Sequence, residues 1–195
     1  MSEMLAGRTS DARRDTTAWL GMVIALVAWT MMFASLFLVM GYLRARAPEW
    51  PPKGSPRLPL GLPAFNTVVL LASSVALTLG VRRIRGGDTK GLARWLRITF
   101  ALGALFVGLQ LSHWMSMWAE GLQLVGGQYG ATFYALTVFH AFHVLSGLAV
   151  LAWLLRGTAA GRWDESTHSP VRLGAMFWHF VDGVWVLMFV TIYLL

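Results

Sequence analysis

Long stretches without a single charged side chain are what most constrain this sequence. Runs free of Asp, Glu, Lys and Arg extend over positions 16–43, 58–81, 98–119 and 121–155. A last segment, 173–195, contains one acid, Asp182. A helix crosses the hydrocarbon core of a bilayer with about 20 predominantly apolar residues, so each run is long enough to span it. Charged residues make up 13% of the chain, about half the share usual in a soluble domain. The expected fold is therefore all-α, a single bundle of five transmembrane helices over residues 18–195. Its spans lie near 18–43, 62–81, 96–118, 132–155 and 174–195, after a polar N-terminal segment, 1–17. The Gly-rich stretch 121–130 reads as loop, and six of the seven prolines fall in 48–63, which makes that loop irregular. The leader mixes acids with arginines and has no small-residue cleavage site, unlike a secretory signal.

Charge placement sets the expected orientation. Twelve of the sixteen Lys and Arg side chains, including Arg8, Arg13, Arg14, Arg82, Arg94, Arg156 and Arg172, fall on one side of the five spans. Arg44, Arg46, Lys53 and Arg57 lie on the other. The positive-inside rule then puts the N-terminus in the cytoplasm and the C-terminus outside, on the periplasmic face. The sequence pI near 10.8 thus reflects basic residues that meet membrane lipids at their anionic headgroups, and no nucleic-acid partner is expected. Without Cys, the chain has no disulfide, thiolate zinc site, iron–sulfur cluster or thioether-linked haem.

Polar residues inside the spans carry whatever specific role exists, because an ionisable group in hydrocarbon needs a protein or water partner. They are Asn66, Gln110, His113, His140, His143, His179 and Asp182. Spacings of three and four align Thr99, Gly103, Phe106, Gln110 and His113 on one helix face, and Thr137, His140, His143 and Gly147 on another. His179 and Asp182, three residues apart, can touch. The residues favour an interhelical network in which Asp182 pairs with His179, His140 or His143 and holds span four to span five. A proton relay through the same groups, or a metal site of three His and one carboxylate, are the alternatives. No nucleophile–base pair or phosphate loop is present, and no catalytic, cofactor-binding or metal residue is assigned.

Several segments resemble a known family. The run Phe177-Trp178-His179-Phe180-Val181-Asp182-Gly183-Val184-Trp185, continuing to Thr191-Ile192-Tyr193, is similar to the terminal W-H-F-V-D-x-V-W signature of cytochrome c oxidase subunit III. Thr137 to Val144, Tyr129 to Phe133, Thr99 to Gln110, Trp50-Pro51-Pro52, Asn66-Thr67 and Ser73-Ser74 resemble other segments of that family. Trp178, Trp185 and Asn66 are its motif positions here, and the likeness is to the short, five-helix bacterial form.

The resemblance implies a non-redox subunit of a haem-copper terminal oxidase in the bacterial inner membrane. It would pack beside subunits I and II, which hold the haem and copper, and support assembly and sustained proton uptake as dioxygen is reduced to water. Bound phospholipid is a further implication, although longer members hold theirs against two additional helices that this chain lacks. The family's usual buried acids fall at Trp29 and His113, and two of its glycines at Val138 and Ala141. The larger side chains should separate helix four slightly from its neighbour. Two other readings stand beside this one: an accessory protein of nitric oxide reductase with the same fold, and a free-standing transporter or metal-binding membrane protein.

Overall fold

A computed structural model describes the backbone of residues 2–195 and the side chains of residues 13–195. Arg8 lies outside the described side chains. Five helices form: α1 (Ser2–Arg46), α2 (Gly61–Arg85), α3 (Thr89–Ala119), α4 (Gln128–Ala159) and α5 (Ser169–Phe189). The last continues into a single wider turn, Val190–Leu194. All five are long and apolar enough to cross a membrane. The first four helices run past the charge-free stretches at one end or both, because polar residues continue the backbone hydrogen bonding, whereas α5 itself ends at Phe189. Helix α1 begins at Ser2 and so runs on through the polar N-terminal segment.

The connections follow local chemistry. Asp88 caps α3 by accepting from the Gly91 N–H at 2.7 Å, as short acceptor side chains do at helix starts. The preceding Gly87 has φ of +76°, a left-handed conformation that glycine adopts without strain. Between α4 and α5, the Asp164 carboxylate accepts from the Ser166 hydroxyl and from the Ser166 and Thr167 N–H groups. These bonds, the Ser166 side chain foremost, lower its pKa to about 2. The 121–130 stretch is less loop than its glycines suggest, because α4 already begins at Gln128. Tyr129 anchors that first turn, buried and edge-on to Trp50 at 5.1 Å between ring centroids.

Helices α2, α3, α4 and α5 pack in a closed ring, with α2 meeting both α3 and α5. Helix α1 stands outside this ring and leans on α4 and α5. Its attachment is aromatic: Trp29 packs on His143 and Phe177 at 5.5 and 5.1 Å, and Phe33 on Phe139 and His143 at 5.1 Å each. Val138 faces outward, so it does not push α4 from its neighbours as its size suggested.

One side chain sits inside the ring and touches every wall. The Trp178 indole of α5 fills a notch made by Gly103 on α3 and Gly147 on α4. A Cβ at Gly103 would lie 2.6 Å from Trp178 Cη2, and one at Gly147 would lie 2.8 Å from Cε3. On the remaining wall, Nε1 donates to Ser73 Oγ of α2 at 3.0 Å. With little hydrophobic drive between helices in lipid, such close fits and hydrogen bonds hold a bundle together.

Gly147→Val should therefore destabilise the chain about as much as Trp178→Ala, about 3–5 kcal/mol if core truncations are the guide. Trp178→Phe, which keeps most of the ring and loses the N–H, should cost only about 0.6 kcal/mol. Unfolding midpoints in detergent, followed by tryptophan fluorescence or a fused fluorescent reporter, measure both effects.

Candidate functional site

The polar residues that the sequence singles out divide into three groups, set by which helices they join. In the first, Ser74 of α2 meets α5. Its hydroxyl donates to Asp182 Oδ2 at 2.5 Å and lies 2.6 Å from His179 Nδ1. Thr78 Oγ1 approaches His179 Nε2 at 3.4 Å. Asp182 is buried while His179 is exposed at the bundle surface. The expectation that Asp182 holds α5 to α4 is thereby corrected: its hydrogen-bond partner is Ser74, and the contact joins α5 to α2. Residues three apart on α5 share a side, but that side faces the opposite neighbour.

The second group occupies the ring interior. Asn66 Nδ2 of α2 donates to the Phe106 carbonyl at 3.3 Å and to Gln110 Oε1 of α3 at 3.5 Å. His140 of α4 is fully buried among rings, with Phe106 at 6.1 Å and Trp185 at 5.4 Å. His143, one turn on, turns the other way. Its Nδ1 bonds the Phe139 carbonyl of its own helix at 2.8 Å, and its ring forms the platform on which Trp29 and Phe33 of α1 rest. His140, His143, His179 and Asp182 thus do not converge. Among the described residues, no three His, Cys, Asp or Glu side chains gather as metal ligands.

The third group ties the end of the bundle that holds the C-terminus. His113 Nε2 of α3 lies 3.1 Å from the Tyr193 hydroxyl, and its ring meets Phe133 of α4 at 6.0 Å. Arg44, in the last turn of α1, donates to the Leu195 carbonyl. Around them Met117, Leu122, Tyr129, Phe133 and Tyr134 form a second small core packed by Trp50, Trp114 and Tyr193.

Sequence reasoning missed one recurrent device. Three indoles donate across helix boundaries to hydroxyls: Trp178 to Ser73, Trp185 to Thr67 at 2.9 Å, and Trp114 to Thr137 at 3.1 Å. Each hydroxyl gives its own proton to a carbonyl of its own helix, Leu70, Pro63 and Phe133 respectively. That leaves a lone pair facing the indole, so donor and acceptor are both satisfied in a medium without water. The available signal was the recurrence of Ser and Thr within apolar runs.

The arrangement fastens helix to helix across α2, α3, α4 and α5. A double-mutant cycle of Ser74→Ala with Asp182→Ala should show coupling of about 0.6 to 1.7 kcal/mol, the range of hydrogen bonds between membrane helices. The cycle pairing Asp182→Ala with His140→Ala should show none within error, and chemical unfolding in detergent micelles reads both.

Residues 3–195 match the family described as cytochrome c oxidase subunit III. The chain is 36% identical over 176 residues to the cytochrome c oxidase subunit 3 of Synechocystis sp., covering 90% of this chain and 74% of that protein. The corresponding protein of Thermostichus vulcanus is 33% identical over 177 residues, covering 90% and 86%. A probable cytochrome c oxidase subunit 3 of Nocardia farcinica is 36% identical over 187 residues, covering 95% and 92%. With five helices able to span a membrane and a match along nearly its whole length, the chain belongs to the cytochrome c oxidase subunit III family.

Proposed function

We propose that this protein is the non-redox third subunit of a respiratory haem-copper oxidase. It packs beside subunits I and II, which carry the haem and copper, and supports assembly and sustained proton uptake while the complex reduces dioxygen to water. Family membership is the observation that carries this reading. The physical character of the chain supports it, because the polar groups within the spans serve to fasten helices to one another. A bundle stiffened in this way suits a part that braces a catalytic neighbour.

The proposal includes placement: the bacterial inner membrane, with the N-terminus cytoplasmic and the C-terminus periplasmic. The arginines at the end of α2, at the start of α3 and at the start of α5 support that orientation. Oxidoreductase activity belongs to the whole complex in this reading, and the chain's own share is structural.

Two experiments follow. Purification of the tagged chain from native membranes in mild detergent should recover a haem-bearing subunit and an oxidase visible spectrum. Recovery of the chain alone and colourless would contradict the proposal, and co-purification of nitric oxide reductase would favour the accessory reading of that enzyme. An alkaline phosphatase fusion after Leu195 should be active and a green fluorescent protein fusion at the same point dark, as a periplasmic C-terminus requires.

A further inference from the structure

Side chains that point out of the bundle within the spans are apolar on almost every face, as Val27 and Met31 on α1, Leu105 on α3 and Phe142 and Leu145 on α4 illustrate. The exposed hydroxyls Thr30, Ser35 and Ser112 return their protons to carbonyls of their own helices, an arrangement lipid tolerates. His179 breaks the pattern. Its imidazole is exposed, and at about 1.5 Å rise per residue it lies about 10 Å along α5 from Arg172, too deep to reach the headgroups. An imidazole turned toward hydrocarbon at that depth is unfavourable unless another polar group meets it.

Hydrogen-bond bookkeeping shows what it offers. The single Ser74 hydroxyl proton goes to Asp182 Oδ2. His179 Nδ1, 2.6 Å from the same oxygen, is therefore the donor of that contact. Nε2 is left as an acceptor. Its neighbour Thr78 Oγ1, at 3.4 Å, spends its own proton on the Ser74 carbonyl at 2.9 Å. The outward edge of the cluster is thus a hydrogen-bond acceptor without a strong donor. Beside it, Gly183 is exposed, and a Cβ built there meets nothing within 4 Å. That notch lets a neighbouring backbone come close, as small residues do between membrane helices. Lipid tails offer no donor at this depth; a protein helix does.

We propose that the α2–α5 face around His179 and Gly183 docks a transmembrane helix of the oxidase's haem-bearing subunit, which presents a hydrogen-bond donor to His179 Nε2. This rests on the proposed function and names the surface through which it works. Acceptor-to-donor complementarity selects protein over lipid as the occupant, and the exposed apolar Leu71, Val75 and Leu187 flank the contact.

A photo-crosslinking amino acid placed at Val75 or Leu187, in the full complex in native membranes, should capture the haem-bearing subunit. The same probe at Phe142 should capture lipid. His179→Leu and Gly183→Leu should each lower the haem recovered per chain at least fivefold, whereas His179→Gln, which keeps an acceptor, should retain more than half. Capture of the haem-bearing subunit from Phe142 alone, capture of lipid or a second copy of this chain from Val75 and Leu187, or unchanged haem recovery with His179→Leu would overturn the assignment of this face. A haem-bearing chain that still co-purifies in those cases leaves the proposed function standing; capture and co-purification of none would overturn both.

Discussion

The fit of the Trp178 indole between Gly103 and Gly147 is the interaction from which the rest of this structure follows. Within a bilayer, burying apolar surface yields little, since lipid tails are as apolar as the helix faces they would leave. Association must come from close contact and from polar groups with nowhere else to bond. Trp178 supplies both: its ring occupies space that any side chain on α3 or α4 would claim, and its N–H reaches Ser73 on α2. One residue of α5 thereby sets the separation of three other helices. The ring closes because of it, and α1 finds on α4 and α5 a fixed aromatic surface on which to lean.

The remaining polar groups extend that logic along the membrane normal. Trp185 bonded to Thr67 and Trp114 bonded to Thr137 repeat the indole-to-hydroxyl contact at other levels of the bundle. At the C-terminal end, His113 with Tyr193 and Arg44 with Leu195 bring the last turn onto α3 and α1. The Ser74, Asp182 and His179 cluster, by contrast, reaches outward. It is both a bond from α2 to α5 and a polar edge that the bundle itself leaves uncovered. The proposed bracing role needs such a place, and this edge lies where Ser74 already joins α2 to α5.

Much of this was legible in the sequence, for identifiable reasons. The absence of charge over long runs pointed to five helices long and apolar enough to cross a membrane, which the fold contains. Three-and-four spacing found the buried faces of α3 and α4, because Thr99, Gly103, Phe106, Gln110 and His113 are indeed buried, as are Thr137, His140, His143 and Gly147. The W-H-F-V-D run pointed to the family to which the chain belongs. What spacing does not contain is the choice of neighbour. Asp182, expected to reach α4, bonds to α2. His140 and His143 share a face yet serve different walls, one turned into the ring and the other toward α1. Gly103 and Gly147 lie on different helices, and nothing local marks them as two halves of one notch. The early start of α4 was hidden by glycines that permit a loop without requiring one.

The dependence of the bundle on this fit is tested most directly by removing the notch and its occupant together. If Gly147 is required because the Trp178 ring occupies the space of its missing side chain, Gly147→Val should be strongly destabilising in the wild-type background. It should be far milder once Trp178 is replaced by Ala. The account predicts a coupling of about 2 kcal/mol or more in this cycle, within the range seen for residues in direct contact. Additive effects of the two substitutions would contradict it, and would mean that the glycine and the indole contribute to the bundle independently.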